Sequence, residues 1–103
     1  MGAPADRYSQ LDSGMRTKNA AAISDAEHAH IERVKELPCS VCDAPGPSSA
    51  HHIVQGLHWL VVALCWSCHQ SPVNGWHGQR RIWLVKKLDE LGALAITIRR
   101  LMR

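Results

Sequence analysis

Two pairs of cysteines set the strongest constraint on how this chain can fold. Cys39 pairs with Cys42 and Cys65 with Cys68, each pair separated by two residues. This spacing lets both thiolates of a pair reach one ion, and four thiolates complete a closed tetrahedral zinc site. A redox motif or four buried thiols are the alternatives, but a redox C-x-x-C needs no second copy. We therefore expect one structural Zn²⁺, which would supply folding free energy that the core of a 103-residue chain lacks.

The residues before the first cysteine pair predict a tail followed by one helix. Residues 1–20 are rich in small and polar residues without an apolar period, so we expect a disordered tail. Ser24 and Glu27 form a capping box, which is typical of a helix start. The helix is expected to run to about Leu37, where the following proline stops it. The chain from residue 21 to residue 103 would then form a single domain.

The rest of the chain predicts a hairpin and further helix, and hence a small α+β fold. Residues 50–54 and 59–64 predict two short strands around a turn. A short helix is expected to open at Cys65, followed by a loop. Residues 79–103 are helical by pattern, with Gly92 marking a kink or a break into two helices. The amphipathic stripe of this segment consists of Leu84, Leu88, Leu91, Ala95, Ile98 and Met102.

Positive charge is concentrated in the last quarter of the chain. The net charge is +3, yet residues 79–103 hold seven Lys and Arg against two acidic residues. Such a segment favours an anionic partner such as nucleic acid, although a solvated helix face would carry the same charges. No apolar run approaches the ~18 residues that a membrane span needs. The N-terminus also lacks the apolar core of a secretory signal, so we expect a cytoplasmic protein without a membrane partner.

Histidine is unusually frequent between the first cysteine and the basic segment. Five of the seven histidines fall within 27 residues, an interval without Lys or Arg. A single histidine is more often a hydrogen-bonded or surface residue, and we keep that interpretation for His28 and His30. The larger group favours a chemical role, because imidazole titrates near neutral pH and also binds metals. Its members are His51, His52, His58, His69 and His77.

These residues carry a resemblance to a known family. The order A-H-H-I, a hydrophobic strand and L-C-x-x-C-H, within residues 39–77, resembles the HNH or ββα-metal endonuclease finger with an embedded four-cysteine zinc site. A wider order, over residues 27–83, resembles small phage and prophage nucleases of the Ref type, which depend on RecA. The resemblance implies a metal-dependent DNA endonuclease in a bacterial or phage-infected cytoplasm, with a role in phage recombination and a RecA filament as partner.

The resemblance also implies a role for each histidine of the group. A catalytic divalent metal (Mg²⁺, Mn²⁺, Ni²⁺ or Zn²⁺) would be bound by His51, His69 and His77. His52 would act as the general base. The polar residue that holds the hairpin turn would be His58, and Asn74 is the alternative candidate for this role. Because adjacent residues of a straight strand point to opposite faces, the two neighbouring histidines can share a site only at the strand's end.

Basic residues next to the third metal ligand are expected to contact DNA. Arg80 and Arg81 follow His77 by three and four residues, so they would hold the scissile or a neighbouring phosphate. Nothing in this segment reads bases, which predicts low sequence specificity. Trp76 and Trp83 could stack on an unpaired base, but packing beneath the loop is the favoured interpretation. The basic residues expected to contact the DNA backbone further away are Lys86, Lys87, Arg99, Arg100 and Arg103.

Two other classes of function stay open at this point. A zinc-stapled DNA-binding module without catalysis would keep the basic surface but would need no second metal. A zinc-built protein-interaction domain would need neither DNA nor a second metal, and its histidines would be incidental. The number of metal sites per chain therefore separates the endonuclease from both alternatives.

Overall fold

The computed structural model describes residues 22–103, so the predicted tail over residues 1–20 lies outside the described residues. A two-stranded antiparallel sheet and four helices make up the described part, which confirms the α+β class. In chain order the elements are α1 (Asp25–Lys35), β1 (Ser49–His52), β2 (Val61–Leu64), α2 (Trp66–His69), α3 (Arg81–Lys86) and α4 (Glu90–Leu101). None of these helices is long and apolar enough to cross a membrane.

The capping box at the start of α1 is confirmed. The Ser24 hydroxyl accepts from the Glu27 amide at 3.1 Å, and the Glu27 carboxylate accepts from the Ser24 amide at 3.0 Å. The helix ends at Lys35, two residues before the predicted end. Its buried residues Ile31 and Val34 pack against the hairpin, so α1 covers one face of the sheet.

The predicted hairpin is confirmed, with shorter strands. His51 pairs with Val62 and His52 with Val61 in antiparallel register. The Ile53 amide bonds to the Leu60 carbonyl at 3.0 Å, next to the last strand pair, and the residues between them form turns rather than strand. All four residues of β2 are buried because its alternate side chains pack into two different clusters. The continuous apolar run of this strand therefore reflects burial on both faces.

The C-terminal segment divides into two helices, but the break does not lie at Gly92. Lys87 adopts a left-handed conformation with φ 56° and ends α3. Asp89 then caps α4, its carboxylate accepting from the Gly92 amide at 2.8 Å. Gly92 therefore lies in the first turn of the second helix, and the expectation of a kink there was wrong.

Much of the amphipathic stripe of this segment faces outward. Leu84, Leu91 and Met102 are 72%, 67% and 81% exposed, respectively. The buried side of α4 is formed instead by Ala93 and Thr97, which are small enough for the helix to pack closely on β2. The periodicity thus identified helices correctly but did not identify the face that is buried.

Thr97 is the polar centre of this packing. Its hydroxyl donates to the Ala93 carbonyl at 3.0 Å and lies 2.8 Å from the Ser40 hydroxyl. The Ala63 amide points to the same oxygen at 3.4 Å. One buried hydroxyl thus joins α4 to β2 and to the loop that carries the first cysteine pair.

We predict that Thr97→Val destabilises the folded protein by about 1–3 kcal/mol, because the Ser40 hydroxyl loses its buried partner. Urea unfolding of the zinc-loaded protein would measure the change. Thr97→Ser keeps the hydroxyl and serves as the control, with a smaller loss expected. Equal stability of the parent and the valine variant would contradict this account.

Candidate metal centres

The four cysteines converge on one point, as predicted. Their Sγ atoms all lie within 4.8 Å of one another, and those of Cys42 and Cys65 are 3.6 Å apart. Tetrahedral zinc with Zn–S bonds of ~2.3 Å separates its sulfur atoms by about 3.8 Å. The cluster therefore fits a structural zinc ion with all four positions filled by protein.

Backbone amides donate hydrogen bonds to two of the four sulfur atoms, which stabilises negative charge on them. The Val41 amide points to the sulfur of Cys39 at 3.4 Å, and the Cys68 amide points to that of Cys65 at the same distance. Burial, followed by the nearby Cys39 sulfur, raises the pKa of the Cys68 thiol. Burial is likewise the main cause that raises the pKa of Cys42. Since thiolates are the ligands, zinc binding would release protons from this cluster.

Two basic side chains hold the loop of the first cysteine pair. Lys86 donates from Nζ to the Val41 carbonyl at 2.6 Å. Arg100 donates to the Cys39 carbonyl at 3.1 Å and forms an ion pair with Asp43. Both residues belong to the set predicted to contact DNA, and the structure places them on the cysteine loop.

Three of the predicted histidines form a second cluster. His51 comes from β1, His69 from the end of α2 and His77 from the loop beyond it. One ring nitrogen of each lies within 4.8 Å of the others. The ring centroids are 5.0 to 5.1 Å apart. The predicted ligand set is therefore brought together around one position.

A tight loop carries the third histidine to this cluster. The His77 amide bonds to the His69 carbonyl at 3.2 Å. The chain packs so closely that a Cβ at Gly75 would lie 2.6 Å from the Ser71 carbonyl oxygen. A Cβ at Gly78 would lie 2.5 Å from a carbonyl oxygen of the same loop. Only glycine fits at these two positions, so they fix the path of the chain through the site.

The surroundings of His69 favour its neutral form. Burial, together with His51 and His77, lowers the pKa of His69 to about 4. Its ring is therefore neutral at pH 7 and keeps a lone pair for a cation. His51 is buried whereas His77 is exposed, so the cluster opens to solvent on one side. Three imidazoles with an open side could hold a divalent metal that keeps a free coordination position, in contrast to the closed sulfur cluster.

His52 and His58 form a separate pair. Nε2 of His52 lies 3.1 Å from Nδ1 of His58. Burial, followed by His58 and His51, lowers the pKa of His52. His52 is the last residue of β1, yet it contacts His58 and lies outside the three-histidine cluster, so the two neighbouring histidines do not belong to one ligand set. Asn74 instead bonds through its backbone amide to the Ser71 hydroxyl at 3.1 Å, within the loop that precedes His77. The structure thus brings His58, and not Asn74, to the general-base candidate.

The basic and aromatic residues beyond the cluster differ in their surroundings. Arg80 stacks on Trp76, with Cζ 3.7 Å from the ring centroid, and donates from Nε to its carbonyl at 2.6 Å. Trp76 also contacts Trp83, which is buried and donates to the Cys68 carbonyl at 2.9 Å. Packing is therefore the observed role of both tryptophans. Arg81 and Lys87 are exposed, at the two ends of α3.

One residue of the second cluster was missed by the sequence analysis. Oε2 of Glu90 lies 2.6 Å from Nε2 of His51, and this contact crosses from α4 to β1. Glu90 lies outside the resemblance and 39 residues from its partner. Its only signal in the sequence is a position at the start of a helix, where acidic residues are common.

Comparisons of the chain with protein-family models, curated proteins and solved structures gave no match. The geometry of the two clusters and the motifs within them are therefore the features that bear on function.

We predict that Cys39→Ser lowers the zinc content below one ion per chain at the sulfur cluster and abolishes cooperative thermal unfolding. The physical reason is that three thiolates no longer close the site within a small core. Metal analysis and circular dichroism would measure both effects. The control is Ser67→Ala, which alters an exposed residue between two ligands. A Cys39→Ser protein that keeps its zinc and its transition would overturn the assignment.

Proposed function

We propose that this protein is a metal-dependent DNA endonuclease of the HNH or ββα-metal type, with low sequence specificity. The observation that carries the proposal is the three-histidine cluster built on a hairpin and the short helix α2 that follows it. Directly beside one of its ligands, the same strand carries the paired His52. A non-catalytic zinc module has no need for this second set of donors.

The two clusters suit two different tasks. The sulfur cluster has four protein donors and leaves no position for substrate, so its ion would be structural. The histidine cluster has three nitrogen donors and an exposed side, so its ion would meet substrate. One of its histidines, His69, directly follows the last cysteine, Cys68, in the chain. The structural ion would thereby position the catalytic one.

His52 is suited to act as the general base. Because its pKa is lowered, the ring is neutral at pH 7 and can accept a proton. In the tautomer in which His52 Nε2 donates to Nδ1 of His58, Nδ1 of His52 has the lone pair that can accept a proton from water. His58 would then hold the ring in this orientation while the water attacks the phosphorus. A divalent ion at the histidine cluster would stabilise negative charge on the phosphate and on the leaving oxygen.

The surroundings of the cluster favour a polymeric anion as substrate. Residues 22–103 enclose no pocket that would hold a small molecule. Arg80 lies three residues after His77, and its guanidinium is held in place by the Trp76 ring. Arg81 follows it and is exposed. A phosphate backbone that crosses the histidine cluster would meet these charges first.

The finer assignment, a phage nuclease of the Ref type that acts with RecA, is part of the proposal. It is supported by the motifs over residues 27–83 alone. Cleavage assays with and without a RecA filament on single-stranded and duplex DNA would test it. Cleavage that does not respond to RecA would leave the endonuclease proposal intact and remove the narrower one.

We predict that His52→Ala slows plasmid cleavage by about 10²–10⁴-fold in Mg²⁺ or Mn²⁺, because a general base acts in the transition state. Zinc content, thermal unfolding and DNA affinity should stay near those of the parent. His51→Ala should instead weaken binding of the second metal. The matched control is His28→Ala, which removes an exposed imidazole from α1. Cleavage by His52→Ala at the parent rate would refute the role of this residue.

A parent protein that binds DNA but never cleaves it, and that binds only one metal, would favour the DNA-binding module. A parent that binds neither DNA nor a second metal would favour the protein-interaction domain. Metal counting on the purified chain, followed by gel-shift and cleavage assays, therefore separates the three functions.

We predict that the double variant Arg80→Ala and Arg81→Ala weakens DNA binding and cleavage together. Each lost phosphate contact should reduce the log–log salt slope of affinity by about 0.7–0.9. The control is the double variant Arg99→Ala and Arg103→Ala, which removes two exposed charges near the other end of the segment. If the control damages cleavage more than the test variant, DNA does not cross the His77 loop as proposed.

A further inference from the structure

The contact between Glu90 and His51 joins a carboxylate to a buried ligand of the histidine cluster. Their atoms Oε2 and Nε2 are 2.6 Å apart. The His51 side chain is 5% exposed and that of Glu90 is 22% exposed, so water screens this pair weakly. The other ion pairs of residues 22–103, Lys35 with Glu32 and Arg100 with Asp43, each include a carboxylate that is more than half exposed.

Helix formation does not explain the position of this carboxylate. Asp89 already caps α4, because its side chain accepts from the Gly92 amide. Glu90 is the first residue of the helix, and its carboxylate could interact favourably with the helix dipole while it points into solvent. Its side chain turns instead toward β1. The contact therefore needs a reason that lies with His51.

The geometry at His51 gives that reason. Its two ring nitrogens have different partners, because Nε2 faces Glu90 while Nδ1 faces Nε2 of His69 at 3.2 Å. A carboxylate can only accept, so Nε2 carries the proton. The neutral ring then has its lone pair on Nδ1, on the side of the other two histidines. Glu90 thus selects the tautomer that a cation in the cluster requires.

We infer that Glu90 is a positioning residue for the second metal: it holds His51 with Nδ1 toward the histidine cluster and makes that nitrogen a stronger donor. Carboxylates that accept from the remote nitrogen of a ligating histidine raise its basicity and fix its orientation. The inference rests on the proposed binding of a divalent cation by the three histidines. It extends that site to a fourth element, α4, which contributes no ligand.

The test measures metal affinity in the full chain. Protein with Zn²⁺ in the sulfur cluster is titrated with Co²⁺, whose visible absorption distinguishes imidazole from thiolate ligands. Glu90→Ala should bind Co²⁺ about 10–100-fold more weakly than the parent. Glu90→Gln should fall between the two, since its amide oxygen still accepts from Nε2 but carries no charge. The matched control is Asp25→Asn, which neutralises the first residue of α1 in the same helical position and should leave affinity unchanged.

A second measurement separates positioning from simple stabilisation. Nitrogen-15 shifts of the histidine rings in protein without Co²⁺ report which nitrogen carries the proton. The parent and Glu90→Gln should keep the His51 proton on Nε2, whereas Glu90→Ala should give a mixture of tautomers. Thermal unfolding identifies any variant that has lost its fold, and the glutamine variant then carries the test.

The inference is overturned if Glu90→Ala and Glu90→Gln both bind Co²⁺ within twofold of the parent, or if either binds more tightly. It is also overturned if the parent itself carries the His51 proton on Nδ1. A parent whose Co²⁺ affinity depends on Glu90 as described, but which does not cleave DNA, would sustain this inference and refute the endonuclease. The two proposals can therefore fail separately.

Discussion

The packing of four sulfur atoms within 4.8 Å is the constraint on which the rest of the structure depends. Burial raises the pKa of the Cys42 and Cys68 thiols, and a cation is the simplest group that can neutralise four thiolates at once. The cation would join the loop after α1 to the end of the hairpin. His69 follows the last of these ligands directly. The short helix α2 thus carries both a sulfur ligand and a histidine of the second cluster. Zinc binding at the sulfur cluster would therefore help to assemble the histidine cluster.

Helix α4 contacts one ligand of the histidine cluster and the loop that carries the first cysteine pair. Near its start Glu90 meets His51, in its middle Thr97 meets Ser40, and near its end Arg100 holds the Cys39 carbonyl. The three contacts fall along a helix that packs on β2 through small side chains. The core has few large side chains. Hydrogen bonds from α4 therefore help to fix the positions of the two clusters relative to each other.

Local patterns predicted the elements and the sulfur ligands, because caps, hairpins and C-x-x-C pairs depend on residues close in sequence. The three-histidine set was implied by the resemblance. The buried face of α4 was not predictable, since Thr97 becomes a core residue only through its distant partner Ser40. Lys86 and Arg100 have the same charge whether they meet DNA or a carbonyl of the cysteine loop. Glu90 was missed for the same reason, because its role depends on its contact with His51 on another element.

The hydrogen bond from the Trp83 indole to the Cys68 carbonyl gives the protein an optical signal of its own. Trp83 is buried, whereas Trp59 and Trp66 are exposed, so its fluorescence should lie at shorter wavelength than theirs. Any shift of the Cys68 backbone on loading or losing an ion moves the acceptor of that indole. The spectrum of the unlabelled chain can therefore follow the filling of the sulfur cluster in real time, without a chelating dye.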